Sequence, residues 1–243
     1  MQFFSMSDTG RLRKSNQDCA LSKELGSFTL LALADGMGGH SGGEIASGLA
    51  IEEISSVLSD KLTEKMLPGQ IMLLLSEALD KANAKILDRA KNDSSLSGMG
   101  TTCDVCLATK NKLYIAHIGD SRVYKISKGG VIKKLTCDHS LVQFMLESGT
   151  ITPEEAADHP QKNVILRALG ISDKIEPDVF QDKVSPCDVI LLCSDGLTNM
   201  LDEETVAKAA ISEDTPSEIA KKLIGLANEA GGRDNITVVI AKA

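Results

Sequence analysis

The sequence predicts an α+β fold in which antiparallel strands build sheets and helices, grouped in pairs, lie outside them. Three observations carry this. Strand-like apolar runs follow one another in the first third and again from Gly100 to Leu135 with no helix between them, so neighbours pair antiparallel. Helical periodicity is confined to two pairs of segments, at about 44–58 and 69–90, then at about 203–210 and 216–228. No linker, repeat or low-complexity stretch divides the 243 residues, so residues 1–243 read as a single domain. Layering helices on sheets buries both apolar surfaces. Periodicity alone leaves the number of sheets open.

Taken in order, the chain opens with strand, turn, strand, strand. The third strand, Leu30-Leu31-Ala32-Leu33-Ala34, runs into Asp35-Gly36 and a glycine-dense turn to Gly43. Ile45, Leu49, Ile51, Ile54 and Leu58 mark the first helix, and Ile71, Leu74, Leu75, Ala78, Ala82 and Ile86 the second. Lys110-Asn111-Lys112 and Lys128-Gly129-Gly130 punctuate a meander of hairpins. Residues 138 to 170 interrupt it with helical fragments around Leu141 to Glu147 and after Thr152-Pro153-Glu154, and read as an inserted flap. Strand signals resume at about 186 to 194, the second helix pair follows, and Ile236-Thr237-Val238-Val239-Ile240 closes the chain.

Three apolar runs end in an aspartate flanked by glycine: Asp35-Gly36, Gly119-Asp120 and Asp195-Gly196. Asp18 and Asp234 stand beside strand-like segments in the same way. Taken singly, an Asp next to Gly is a turn or capping residue. Five gathered at strand ends would repel one another, and hard divalent cations, which favour oxygen ligands, relieve that repulsion. The pattern therefore points to a multi-metal site.

Composition agrees with that reading. The net charge of −8, with no basic run or basic helix face, argues against a nucleic-acid or anionic-membrane binder. No apolar run approaches the ~20 residues that span a bilayer, and no signal-peptide pattern opens the chain, so a cytoplasmic protein is expected. The six cysteines sit in apolar segments of a large chain and read as buried reduced thiols. Cys103 and Cys106 form a CxxC inside a strand, where alternation points them to opposite faces.

In order, Ser7-Asp8-Thr9-Gly10-Arg11-Leu12-Arg13 through Ser15-Asn16-Gln17-Asp18, Asp35-Gly36-Met37-Gly38-Gly39-His40, Gly100-Thr101-Thr102, Gly119-Asp120-Ser121-Arg122, Asp138-His139-Ser140, Ser194-Asp195-Gly196-Leu197 and Gly232-Arg233-Asp234-Asn235 resemble the metal-dependent type 2C (PPM) serine/threonine protein phosphatases, in their compact bacterial form. The series spans nearly the whole chain. The resemblance implies a four-layer αββα sandwich of two antiparallel sheets flanked by helix pairs, with two to three Mn²⁺ or Mg²⁺ ions at one end. It implies that Asp35 bridges two ions, that the Gly36 carbonyl binds one of them, that Asp195 and Asp234 complete the other shell, that Asp18 ligates or bonds through water, and that Asp120 serves a third ion. Two such ions, about 3.5 to 4 Å apart, can share a water and lower its pKa toward neutrality, so that it attacks phosphorus. Arg13 is expected to grip phosphate oxygens with its guanidinium fork, although Arg11 and Lys14 beside it also suit a solvated turn.

Two departures bear on mechanism. Gln17 stands where many members have glutamate, and Met37 where larger eukaryotic members place a histidine proposed as general acid. His40 either contacts substrate and protonates the leaving oxygen or is a turn residue bonded to backbone. Ser140, Met145, Thr150 and His159 in the flap are candidate substrate contacts, against the ordinary reading of capping or solvated residues. The expected activity is hydrolysis of phosphoserine and phosphothreonine on proteins, with substrates supplied by a bacterial serine/threonine kinase and monomer as the default state. The alternatives are a catalytically silent module of the same fold that binds regulatory proteins, and a regulator phosphatase with one anti-anti-sigma-like partner.

Overall fold

The computed structural model describes residues 1–38, 42–211 and 214–243. Strands β1 (Gln2–Asp8), β2 (Asp18–Leu25) and β3 (Phe28–Met37) precede helices α1 (Gly42–Lys61) and α2 (Pro68–Asn92). Then come β4 (Gly100–Thr101), β5 (Cys103–Ala108), β6 (Lys112–Ile118), β7 (Arg122–Ile126) and β8 (Ile132–Lys134). Helices α3 (Leu141–Glu147) and α4 (Pro153–Ala157) lie in the segment expected as a flap. The chain finishes with β9 (Asp178–Lys183), β10 (Val189–Cys193), α5 (Asp195–Thr198), α6 (Glu203–Ala210), α7 (Pro216–Glu229) and β11 (Ile236–Lys242).

Two antiparallel sheets result. One has the order β1-β11-β10-β7-β8, the other β2-β3-β5-β6-β9 with β4 on β3. Alternation explains why both need cover on two sides. Leu30 of β3 and Val105 of β5 face Ile54, Leu58, Leu75 and Leu79 of α1 and α2. Leu31 and Leu33, one residue out of phase, meet Val123, Ile190, Leu192 and Val239 of the facing sheet. On the far side Leu191, Val238 and Ile240 pack against Val206, Ile219 and Leu223 of α6 and α7. Strands buried on both faces read as unbroken apolar runs rather than alternating ones, which is how β3 and β10 announce themselves in the sequence. The four layers and both helix pairs agree with the expectation.

Three local features differ from it. β9, sequence DVFQDK, carries no apolar run because it is an edge strand, paired only with β6 and half exposed. α5 is one turn long, too short to leave a period. Asp35 lies inside β3, since pairing of Met37 with Gly100 extends the strand past it. The cysteines are all free, and Cys103 and Cys106 do point to opposite cores. Cys187 is exposed at a positive φ of 71°, so burial does not extend to that thiol.

Leu192→Ala, at the centre of the inter-sheet core and 0% exposed, is expected to cost about 2 to 5 kcal/mol in urea unfolding. Leu12→Ala, 70% exposed, should change stability by less than about 0.5 kcal/mol.

Candidate active site

Five aspartates meet at the end of the sandwich where strand ends of both sheets converge. Asp18, the first residue of β2, stands directly opposite Asp35 in the β2–β3 register. Asp195 begins α5 just after β10, Asp234 precedes β11, and Asp120 sits in the link from β6 to β7. Asp35, Gly36, Asp120, Asp195 and Asp234 line one cleft of about 260 Å³, with Arg13 and Gln17. Asp18 borders it from below, through its electrostatic coupling to Asp35, Asp195 and Asp234.

Close backbone approach assembles the cluster, and it explains the glycines. A Cβ on Gly36 would lie 2.1 Å from the Gly43 carbonyl oxygen at the start of α1. A Cβ on Gly196 would lie 2.0 Å from the carbonyl oxygen of Asn235. Only residues without side chains let α1 press on β3 and let the Asp195 and Asp234 segments touch.

Hydroxyl and amide groups then fix the carboxylates. Thr102 and Thr101 hold the Asp35 main chain: Asp35 N–H donates to Thr102 Oγ1 at 3.0 Å, and Thr101 Oγ1 donates to Asp35 C=O at 2.9 Å. Asp18 Oδ2 accepts from Thr237 Oγ1 at 2.6 Å and Ser194 Oγ at 2.9 Å, while its enclosed Oδ1 has no partner. Asn199 donates to Asp195 Oδ2 at 3.1 Å. Arg13 Nη2 donates to Asp234 Oδ2 at 2.6 Å, which places the half-exposed guanidinium on the rim of the cluster. Asn235 staples the loop that carries Arg13: its side-chain amide donates to the carbonyls of Thr9 and Ser15, both at 3.0 Å, and its Oδ1 accepts from Gln17 N–H at 2.9 Å.

The electrostatics follow from crowding in a dry place. Burial, then the charges of Asp18, Asp195 and Asp120, holds Asp35 well above the usual carboxylate range. Burial, then Asp120, Asp234 and Asp18, pushes Asp195 up to about 7. Asp120 is raised to about 6 by burial and then by Asp138. Asp138 itself stays low although burial raises it, because the hydrogen bonds and charges of Arg122, the shortest bond 2.7 Å, and of Lys134 together outweigh that burial. Behind Asp120, His139 grips the preceding residue at two points: its N–H donates to Gly119 C=O at 2.7 Å, and its Nδ1 accepts from Gly119 N–H at 3.2 Å.

The donor set is all oxygen, it carries excess negative charge, and one enclosed carboxylate oxygen lacks a partner, a combination that suits hard divalent cations. Among the described residues no group of three or more His, Cys, Asp or Glu side chains closes to metal-holding positions, and the carboxylates of Asp18, Asp195 and Asp234 rest on the protein donors just named.

All the acidic candidates and Arg13 are thus brought together. His40 lies outside the described residues. Ser140 caps α3, accepting from Gln143 N–H at 3.2 Å, and Thr150 and His159 make local bonds to Ser148 and Gln161. Sequence reasoning assigned no role to Thr102, Ser194, Asn199, Asn235 or Thr237. Each except Asn199 and Thr237 lies within two residues of a motif aspartate or glycine, which was the available signal.

The family profile described as Protein phosphatase 2C matches residues 11–222. The chain is 38% identical over 236 residues to the serine/threonine phosphatase stp of Listeria monocytogenes, covering 97% of this chain and 93% of that protein. The solved serine/threonine phosphatase of S. agalactiae has a TM-score of 0.92 at 36% identity, covering 98% of each chain. The catalytic domain of PstP, solved in complex with two manganese ions, has a TM-score of 0.87 at 36% identity, covering 99% of this chain and 97% of that one.

Two outcomes are expected. Gly196→Ala should lose about 1 to 3 kcal/mol in denaturant unfolding, because its Cβ must displace the Asn235 carbonyl. In EDTA, Asp195→Asn should match the wild type in stability near pH 4 and exceed it increasingly as pH rises through about 7. The raised folded-state pKa makes the neutral form the stable one, so the wild type loses that contribution on deprotonation and the asparagine variant does not. Equal stability of the two proteins at pH 8 would contradict the repulsion described here.

Proposed function

The chain belongs to the protein phosphatase 2C family and is a serine/threonine protein phosphatase, and on that premise we propose how its residues divide the work. The enzyme uses divalent cations. Asp35, Asp195 and Asp234 would hold two of them together with the Gly36 carbonyl, Asp18 would act as ligand or water-mediated partner, and Asp120 would serve a weaker third. Mn²⁺ or Mg²⁺ fits this all-oxygen set equally well. The observation that carries the assignment is the unpartnered, enclosed Oδ1 of Asp18 beside carboxylates raised by mutual repulsion. When bound, the ions supply Lewis acidity and lower the pKa of water toward neutrality.

The protein's own residues do the rest. Ser194 and Thr237 orient Asp18, and Thr101 and Thr102 fix the strand that carries Asp35, so the carboxylates keep their places in the absence of substrate. Arg13, at the rim and held among the described residues through Asp234, would turn its fork onto the substrate phosphate. Asn235 limits that motion by fixing the loop at Thr9, Ser15 and Gln17. Substrates are phosphorylated proteins, which we assign to the products of a serine/threonine kinase in the bacterial cytoplasm. Among the described residues no helix is long and apolar enough to cross a membrane. A silent binding module of this fold is not favoured, since every expected acidic residue is present and the relatives are phosphatases.

Hydrolysis of a phosphothreonine peptide with Mn²⁺ is the test. Turnover should vanish in EDTA and fall by about a hundred- to a thousandfold in Asp195→Ala, a loss of the size seen when one electrostatic element of a site is removed. Arg13→Ala should mainly raise KM, by roughly 10-fold, as loss of one charged hydrogen-bonding group predicts. Undiminished turnover in EDTA would sink the assignment.

A further inference from the structure

The phosphorylated residue of a protein substrate is tethered closely. Three bonds separate phosphorus from the Cα of phosphoserine, and the carboxylates it must approach lie in an enclosed cleft. The main chain of the substrate must therefore run along the lip of that cleft. What the lip offers to a main chain decides how substrates dock.

One residue there offers an unpaired strand edge. Ile165 and Ser140 form an isolated antiparallel bridge, outside both sheets. The flanking bonds run from Leu141 N–H to Val164 C=O at 2.9 Å and from Leu166 N–H to His139 C=O at 2.7 Å. In antiparallel pairing this pattern makes Ser140 and Ile165 the pair that exchanges no hydrogen bonds, so the N–H and C=O of Ile165 turn away from Ser140. No described residue bonds to either group. Ile165 is half-buried and lines the same cleft as Asp35, Asp120, Asp195 and Asp234. Its position is fixed from two directions, by the Ser140 bridge and, four residues on, by the mutual bonds of Leu169 with Thr101 next to β4. The edge is thus rigid, polar and beside the chemistry.

We propose that Ile165 is a docking edge for the phosphoprotein: the substrate segment adds as a short extended strand, exchanging its N–H and C=O with those of Ile165 while its phosphorylated side chain enters the cleft. The proposal rests on the phosphatase reading above and names the form in which its substrate binds, an extended and locally unfolded segment. Backbone pairing of this kind gives affinity without reading side chains. It suits an enzyme that must accept phosphoserine and phosphothreonine in different sequences. It also disfavours phosphorylated residues within helices, whose N–H and C=O groups are already used.

The experiment uses the wild-type protein with Mn²⁺ and a series of phosphothreonine peptides, each with one backbone N–H replaced by an ester oxygen near the phosphorylated residue. A single lost hydrogen bond of about 1 to 1.5 kcal/mol corresponds to roughly a tenfold change. We expect kcat/KM to fall by about that factor at the one position whose N–H meets the Ile165 C=O, and to fall much less elsewhere. A series in which every ester peptide matches its parent would overturn the docking edge. In parallel, Ile165→Pro removes the N–H and Ile165→Ala keeps it. The proline variant should lose roughly tenfold more than the alanine variant in kcat/KM on peptides, relative to each variant's rate on p-nitrophenyl phosphate. Equal ratios in the two variants would count against the proposal, and if the proline variant does not fold, the ester series decides. Failure of the parent peptide to be hydrolysed at all would instead overturn the phosphatase reading and the docking edge with it.

Discussion

Mutual repulsion among enclosed carboxylates is the constraint on which the rest of this molecule depends. Asp18, Asp35, Asp120 and Asp195 each carry a pKa raised by burial and then by neighbouring carboxylates, Asp234 at Asp18 and Asp138 at Asp120 among them, an arrangement that costs stability and that no fold would keep for packing. The surrounding structure holds them in place regardless. Two sheets buried on both faces supply the rigidity, because neither β3 nor β10 can shift without disturbing a core on each side. The charged end is thus fastened to the most tightly packed part of the protein.

Two kinds of local device transmit that rigidity to the site. Close contact of main chains at Gly36 with Gly43 and at Gly196 with Asn235 sets how near the acidic segments lie. Hydroxyl groups of Thr101, Thr102, Ser194 and Thr237 then fix which way they face. Ser194 and Thr237 are neutral donors, so they orient the Asp18 carboxylate without cancelling its negative charge, while Thr101 and Thr102 hold the main chain of Asp35. Among the described residues, the guanidinium in direct contact with the cluster is that of Arg13, half-exposed at its rim.

The segment from 138 to 170 follows a different logic. Its helices are short, and their ends are satisfied locally: Ser140 and Thr152 cap α3 and α4, the latter in a reciprocal pair with Glu155. Its ties to the sandwich are the backbone bonds of His139 to Gly119 and Leu169 to Thr101, with side-chain bonds of Asp138 to Arg122 and of Gly170 to Asn83. A segment so attached can change its surface residues without affecting the cores.

How much of this could be read from the chain alone depends on whether a feature is local. Strand and helix order, the layering, the acidic cluster and the opposite facing of Cys103 and Cys106 were legible, because periodicity and the Asp-Gly pairs are written in neighbouring residues. The edge strand Asp178–Lys183 was not, since one exposed face gives no apolar run, and neither was exposed Cys187, whose environment is set by a turn. The sequence by itself determined which residue types would be gathered and that helices would cover antiparallel strands, while the count of two sheets came only with the family resemblance. Only the tertiary structure decided that Asp18 faces Asp35 across β2 and β3, that Asn235 grips the loop of Arg13, and that Ile165 presents a free edge to the cleft. Each of these relations joins residues far apart in the chain, and pairing at such separations is fixed by register and packing, which no short stretch of sequence encodes.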